Sequence, residues 1–214
     1  MITSTDKIAI EARVAELEAA FGVEVVTIVV GKSDVYPETV WKAFALGAAF
    51  TALVVAVHDF LRPSWSASGS ALWPAVAILG IGALWALVAV YVPACTRMFL
   101  RTSRAELEVA QFADVQFLQR ELFATPSRTA VLMLVSLLER RVVIRADVGL
   151  HAKVTAAEWD AVIARMVPAL RAGIPGTAMQ DGLAAMRELF ATKGFTPTTH
   201  ENRFGDRPIE ARDP

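Results

Sequence analysis

One cysteine, three histidines and a near balance of charge deprive this 214-residue chain of the raw material for several functions. Cys95 has no second cysteine to pair with, so no internal disulfide framework is expected, and the lone thiol fits a reducing compartment. His58, His151 and His200 stand far apart and form no HExxH or Cys/His spacing, which argues against zinc. With 21 Lys and Arg against 22 Asp and Glu there is no basic excess to engage phosphates, so nucleic acid is not an expected partner. The chain contains no GxxxxGK[ST] or GxGxxG to cradle a nucleotide, and Ser136 lies inside an apolar run instead of on a nucleophile elbow. The opening residues, MITSTDKIAIEARVAELEAAF, lack a basic stretch followed by an apolar one, so a cleaved secretory signal is not expected.

What the chain has in excess is apolar residues, 55% of the total, and they are concentrated in the middle. No charge occurs from Ala43 to Val57 or from Pro63 to Thr96. A helix needs about 20 apolar residues to cross a hydrocarbon layer of about 30 Å, and each stretch supplies them. Residues 40–96 therefore read as a transmembrane hairpin with spans at 40–61 and 72–94, joined by a polar loop containing Asp59, Arg62, Pro63 and Gly69. Trp41, Trp65, Trp73 and Tyr91 fall near the expected ends, where amphipathic rings favour the interface. Ala43, Gly47 and Thr51 form one small-residue ridge on the first span, and Ala48, Ala52 and Ala56 another; Gly82 and Ala86 are their counterparts on the second. Lys32, Lys42, Arg97, Arg101 and Arg104 flank the spans while the loop holds Arg62 alone, which places both termini in the cytoplasm.

The flanks read as two parts of one α/β domain. Over residues 5–21, Ile10, Val14, Leu17 and Phe21 recur at helical spacing, with Gly22 as a stop. VEVVTIVV follows as a strand apolar on both faces, suited to the centre of a sheet. After the hairpin, Ser103 and Glu106 suggest a capping box opening a helix that places Phe112, Val115, Leu118 and Leu122 on one side. Strands are expected at 129–137 and 141–147. Thr155 and Glu158 then cap a helix carrying Trp159, Ile163, Met166 and Leu170, and the last helix carries Met179, Leu183, Met186 and Phe190. The polar residues 196–214 are expected to be disordered. Neither 5–34 nor 102–195 can enclose a core alone, so the expected architecture is a small three-layer α/β/α sandwich interrupted by the transmembrane hairpin.

Thr125, Arg128, the apolar strand after it, Glu139, Arg140, Asp147, Gly149 and Trp159 together give this sequence a signature that resembles the TPM domain family. It is most similar to bacterial membrane proteins with two hydrophobic segments inside that domain. The resemblance covers roughly residues 5–195 and implies an α/β/α sandwich in the bacterial inner membrane. It also implies the acid phosphatase activity proposed for plant members and the calcium binding of some. Ala130 departs from the family, which usually has glycine before the strand, and this weakens an inherited ligand site.

If the first two strands are parallel, Ser33 and Asp34 share a sheet end with the Glu139–Arg140 turn, and Asp147 lies at the other end beside Arg128. Asp34, Asp147 and Arg128 are the candidate catalytic residues, and Asp34, Glu139 and Asp147 the candidate ligands for Ca²⁺ or another divalent cation. Each has a plainer alternative: Asp147 and Arg128 as an ion pair closing the sheet, Asp34 and Glu139 as solvated loop residues. One aspartate is poor equipment for Ca²⁺, which takes 6–8 oxygens. The function expected is an interaction or assembly-support module at the membrane surface, with the bilayer and a membrane or membrane-associated protein as partners. The alternative is a divalent-cation-dependent, acid-phosphatase-like hydrolase.

Overall fold

The computed structural model describes residues 2–61, 72–196 and 204–213, which form two compact units. The first unit comprises residues 1–34 and 103–214, and the second residues 35–102. The sequence-predicted loop residues Arg62, Pro63, Trp65 and Gly69, and His200, lie outside the described residues.

In the first unit, helix α1 (Ser4–Phe21) starts at a capping box, with the Asp6 N–H donating to Thr3 Oγ1 at 3.1 Å and Thr3 Oγ1 donating back to the carboxylate at 2.7 Å. It ends at Gly22, whose φ of 64° suits glycine. Strand β1 (Glu24–Val30) is buried along its whole length. It pairs in parallel with β2 (Ala130–Ser136), in register from Glu24 opposite Ala130 to Val30 opposite Ser136. β3 (Arg141–Ala146) returns antiparallel to β2 through a turn in which Arg140 takes φ 52°, and is followed by the single-turn helix α6 (Val148–His151).

The alternation of side chains along β1 and β2 divides the core in two. Val25, Val29, Val131, Met133 and Val135 face Ile10, Val14 and Leu17 of α1, together with helices α7 (Ala156–Arg171) and α8 (Pro175–Thr192). Val26, Ile28, Val30, Leu132 and Leu134 face helix α5 (Thr102–Gln119) through Val109 and Ala113, and Leu122 of a short 3-10 turn. The result is the expected three-layer α/β/α sandwich. Two expectations about α5 are corrected. Its buried stripe is Ala105, Val109 and Ala113, while Leu118 is 62% exposed; residues this small let the helix backbone approach the sheet where larger side chains would hold it away. Glu106 is ion-paired to Arg141 at 2.9 Å.

Residues 204–213 differ from the disordered tail expected there. Strand β4 (Ile209–Ala211) adds to β1 in parallel, giving the sheet order β3-β2-β1-β4. Phe204, Ile209 and Ala211 pack against the α5 side of the core, so even a mostly polar segment finds enough apolar surface to be held at the edge.

The second unit holds α2 (Pro37–Leu61), α3 (Leu72–Tyr91) and α4 (Pro93–Phe99). The ridge of Ala43, Gly47 and Thr51 is buried on α2. A Cβ built on Gly47 would stand 2.6 Å from the Trp85 ring of α3, so the absence of a side chain is what lets the two helices pack this closely. α2 and α3 are long and apolar enough to cross a membrane, with mean hydropathies of 1.9 and 2.1.

Candidate functional site

The parallel β1–β2 pairing sorts the polar residues into two groups, one at each end of the sheet. At the C-terminal ends of β1 and β2, the ladder continues past the strands, with Leu137 N–H donating to Val30 O and Leu138 N–H to Gly31 O. This brings Ser33 and Ser136 together, their hydroxyl oxygens 3.0 Å apart. Glu139 turns inward onto both: Oε1 accepts the Ser33 N–H at 2.8 Å and Oε2 accepts a short hydrogen bond from Ser136 Oγ. Asp34 answers to a different partner, Arg104, at 3.2 Å.

At the other end, Asp147 is 4% exposed and forms a two-pronged pair with Arg128. Arg128 Nε donates to Oδ2 at 2.7 Å and Nη2 to Oδ1 at 2.9 Å, while the Val148 N–H donates to Oδ1 at 2.8 Å. Burial alone would raise the Asp147 carboxyl, but the Arg128 hydrogen bonds, the Val148 N–H and the nearby positive charge outweigh it and hold the group below its ordinary value. Arg128 reaches this position by taking φ 53°, with its carbonyl accepting from Gly149 N–H at 2.9 Å. A Cβ on Gly149 would lie 2.5 Å from that carbonyl oxygen, so this turn requires glycine. The Arg128, Asp147 and Gly149 signature is thus one locked corner joining the start of β2 to the end of β3.

Changing Asp147 to Asn should lower unfolding stability by about 1.5–3 kcal/mol, the usual weight of hydrogen bonds to charged groups. Arg128→Ala added to that variant should cost little more, because the shared interaction is already gone. Additive losses in denaturant titrations of the four chains would show that the pair carries no coupling.

A third group was missed from the sequence. Glu18 near the end of α1, Glu24 at the start of β1 and Asp206 in the C-terminal segment lie close together, with Glu18 and Glu24 only 3% and 2% exposed. Glu18 Oε1 accepts the Val25 N–H at 2.8 Å, and its buried Oε2 makes no hydrogen bond within normal distance. Burial, offset in part by the Val25 N–H and reinforced by the Glu24 and Asp206 carboxylates, pushes the Glu18 carboxyl up to about 8. Glu24 Oε1 accepts the Phe204 N–H at 2.8 Å, tying the C-terminal segment to β1. A signal for Glu18 was present: it stands four residues after Val14 and three before Phe21, on the helix face that enters the core.

Among the described residues no three His, Cys, Asp or Glu side chains are placed to hold a metal ion. Glu139 lies at one end of the sheet, Asp147 at the other, and Asp34 is turned to Arg104, so the three expected ligands do not converge on one ion, as Ca²⁺ with its 6–8 oxygens would need. A surface groove of about 380 Å³ lies between α1 and α8, and none of the candidate residues lines it; its wall carries Arg13, Glu16, Arg187 and Glu188.

Comparison with known proteins agrees with this fold. The family model described as the TPM domain matches residues 87–189, beginning inside α3 and ending in α8. No curated protein matches the chain. The NMR structure of BA42 protein from the psychrophilic bacterium Bizionia argentinensis sp. nov. is similar, with a TM-score of 0.59 and 12% identity over 99% of this chain and 96% of that one. At that identity the likeness is one of fold. It extends to α1, β1 and β4, which lie outside the family match.

Proposed function

We propose that this chain, whose residues 87–189 match the TPM domain family, is a membrane-anchored interaction or assembly-support module. The observation that carries this is the exposure of α2 and α3. Only 17% and 11% of their most apolar windows are buried, whereas a core helix of a soluble domain is buried on most sides. Leu46, Phe50, Leu53, Leu79, Leu84 and Leu87 all face outward, and a lipid layer is the medium that removes them from water. At 1.5 Å per residue, the 20 residues of α3 reach about 30 Å, the thickness of the hydrocarbon layer. The flanking Lys32, Lys42, Arg97, Arg101 and Arg104 favour a cytoplasmic position for the sandwich.

The polar residues support an interaction role over a hydrolytic one. Asp147, Glu139 and Asp34 each serve a partner that closes a turn or joins two elements. A module of this kind recognises a membrane or membrane-associated protein through the surface of the sandwich, with the hairpin confining the encounter to the bilayer.

The test combines extraction, topology and capture. The chain should resist extraction from bacterial inner membranes by alkaline carbonate. In a Cys95→Ser background, Ser68→Cys should react with an impermeant thiol reagent added outside, and a reporter fused after Asp213 should read cytoplasmic. Release by carbonate removes the anchor, while labelling from the inside only moves the sandwich to the outer face. Hydrolysis of p-nitrophenyl phosphate by the purified chain, lost in Asp34→Asn or Asp147→Asn, would replace this function with a phosphatase.

A further inference from the structure

β1 is apolar on both faces and buried along its length, yet one of its edges is covered only by the last segment of the chain. The ladder there is short, with Ile28, Val29 and Val30 opposite Ile209, Glu210 and Ala211. Side-chain anchors extend it at both ends. Glu24 Oε1 accepts the Phe204 N–H at 2.8 Å, and Asp213 Oδ1 accepts the Lys32 N–H at 3.1 Å. Lys7 pairs with Glu210 at 3.0 Å. A Cβ on Gly31 would lie 2.7 Å from the Asp213 carboxylate, so the missing side chain leaves the seat that this carboxylate fills.

We propose that the outer edge of β1 is a strand-accepting site that exchanges its own C-terminal segment, residues 204–213, for the same segment of a second copy of this chain. The seat is cut to this sequence, in the glycine under Asp213, the Glu24 carboxylate at the Phe204 N–H and the Lys7 ammonium at Glu210. A second copy therefore brings the complementary strand unchanged, and the hydrogen bonds and ion pair broken within one copy re-form between two. An uncovered β1 edge would present free N–H and C=O groups between buried faces, a template for any extended strand, so the edge favours being filled by one source or the other. This inference rests on the proposed membrane anchoring in one respect: two copies confined to one bilayer meet at a raised effective concentration, which favours exchange over dissociation.

The pair Lys7 and Glu210 offers a direct test on the full chain in liposomes. In a Cys95→Ser background, a Lys7→Cys chain and a Glu210→Cys chain are reconstituted together and treated with a short bis-maleimide. The expected result is a covalent dimer that accumulates with time after mixing. A Lys7→Cys chain mixed with a Glu188→Cys chain, which places the second thiol on α8, should give several-fold less dimer. A Lys7→Cys/Glu210→Cys double variant that cross-links within single chains, with no dimer in the mixture, overturns the exchange. Equal dimer from the Glu188→Cys mixture does so as well, by showing random collision. Failure of both the mixture and the double variant removes the segment from β1 altogether. Flotation of the same liposomes separates the two ideas: a chain that floats without forming the dimer refutes only the exchange, and a chain that does not float refutes the anchoring.

Discussion

A chain in which Asp34 is joined to Ser103 through a Gly/Ser linker of about ten residues should be soluble without detergent and unfold in one cooperative step, whereas residues 103–213 alone should aggregate. The first unit is built from residues 1–34 and 103–214, so removing the hairpin leaves its core intact. The two cut ends are close in space, because Arg104 Nη2 lies 3.2 Å from Asp34 Oδ2. A flexible linker of this length spans about 17 Å on average, and its closure entropy grows only logarithmically with length. The piece without residues 1–34 loses Val25, Val26, Ile28, Val29 and Val30, all of them buried. At about 1.5–3 kcal/mol per buried aliphatic side chain, that is roughly 8–15 kcal/mol, as large as the whole net stability of an ordinary domain. It also bares the β2 edge that β1 covers along seven residue pairs. Light scattering and denaturant unfolding of the two proteins check this. Cooperative folding of residues 103–213 together with failure of the joined chain would make α1 and β1 an accessory arm.

How far the sequence could be read depended on how each element acquires its structure. α1 and α8 bury long side chains at helical spacing, so Ile10, Val14 and Leu17, and Met179, Leu183, Met186 and Phe190, could be assigned to the core from periodicity alone. The Arg128–Asp147 pair followed from topology: a parallel β1–β2 crossover and a tight turn into β3 leave those residues at one sheet end. α5 resisted because its buried stripe is made of Ala105, Val109 and Ala113, too small to outweigh Leu118 in a hydropathy pattern. β4 resisted for a different reason. Three residues between Pro208 and Arg212 have no periodicity to find, and their strand conformation comes from the β1 edge they lie on. Glu18 sits at helical spacing from Val14 and Phe21, so its burial was legible, but the closeness of Glu24 and Asp206 was not, because nothing local shows that a distant segment closes over this end of β1.

Unfolding stability should fall as pH rises from about 4.5 to about 8, and Glu18→Gln should flatten that fall. The folded-state value of the Glu18 carboxyl, about 8, lies above its ordinary value of 4.5 because the group is buried beside Glu24 and Asp206. Between those limits the unfolded chain has released the proton while the folded chain keeps it, so each rise in pH favours unfolding. The slope approaches about 1.4 kcal/mol per pH unit and the accumulated cost near pH 7.5 is on the order of 4 kcal/mol. Asp147 and Glu158 act in the opposite sense but in a different window. Arg128 and the Val148 N–H hold Asp147 low against its burial, and Lys193 with the Thr155 N–H holds Glu158 near 2, so their contributions are complete above pH 4.5 and are lost only in acid. Stability should therefore be greatest near pH 5. Glutamine keeps the acceptor for the Val25 N–H and carries no charge to release, so the Glu18→Gln chain should match the wild type at pH 5 and exceed it at pH 8. Hydrogen exchange of the β1 amides in the full chain reads this directly, since Val25 is bonded to the group that titrates. A wild-type profile that is level from pH 5 to 8, or a slope that survives in Glu18→Gln, would assign the pH dependence elsewhere. The same ionisation bears on the C-terminal segment, because a charged Glu18 faces Asp206 across the junction that Glu24 makes with Phe204. Above pH 8 the segment should loosen first, and protection at Ile28 to Val30 should drop before protection across β2.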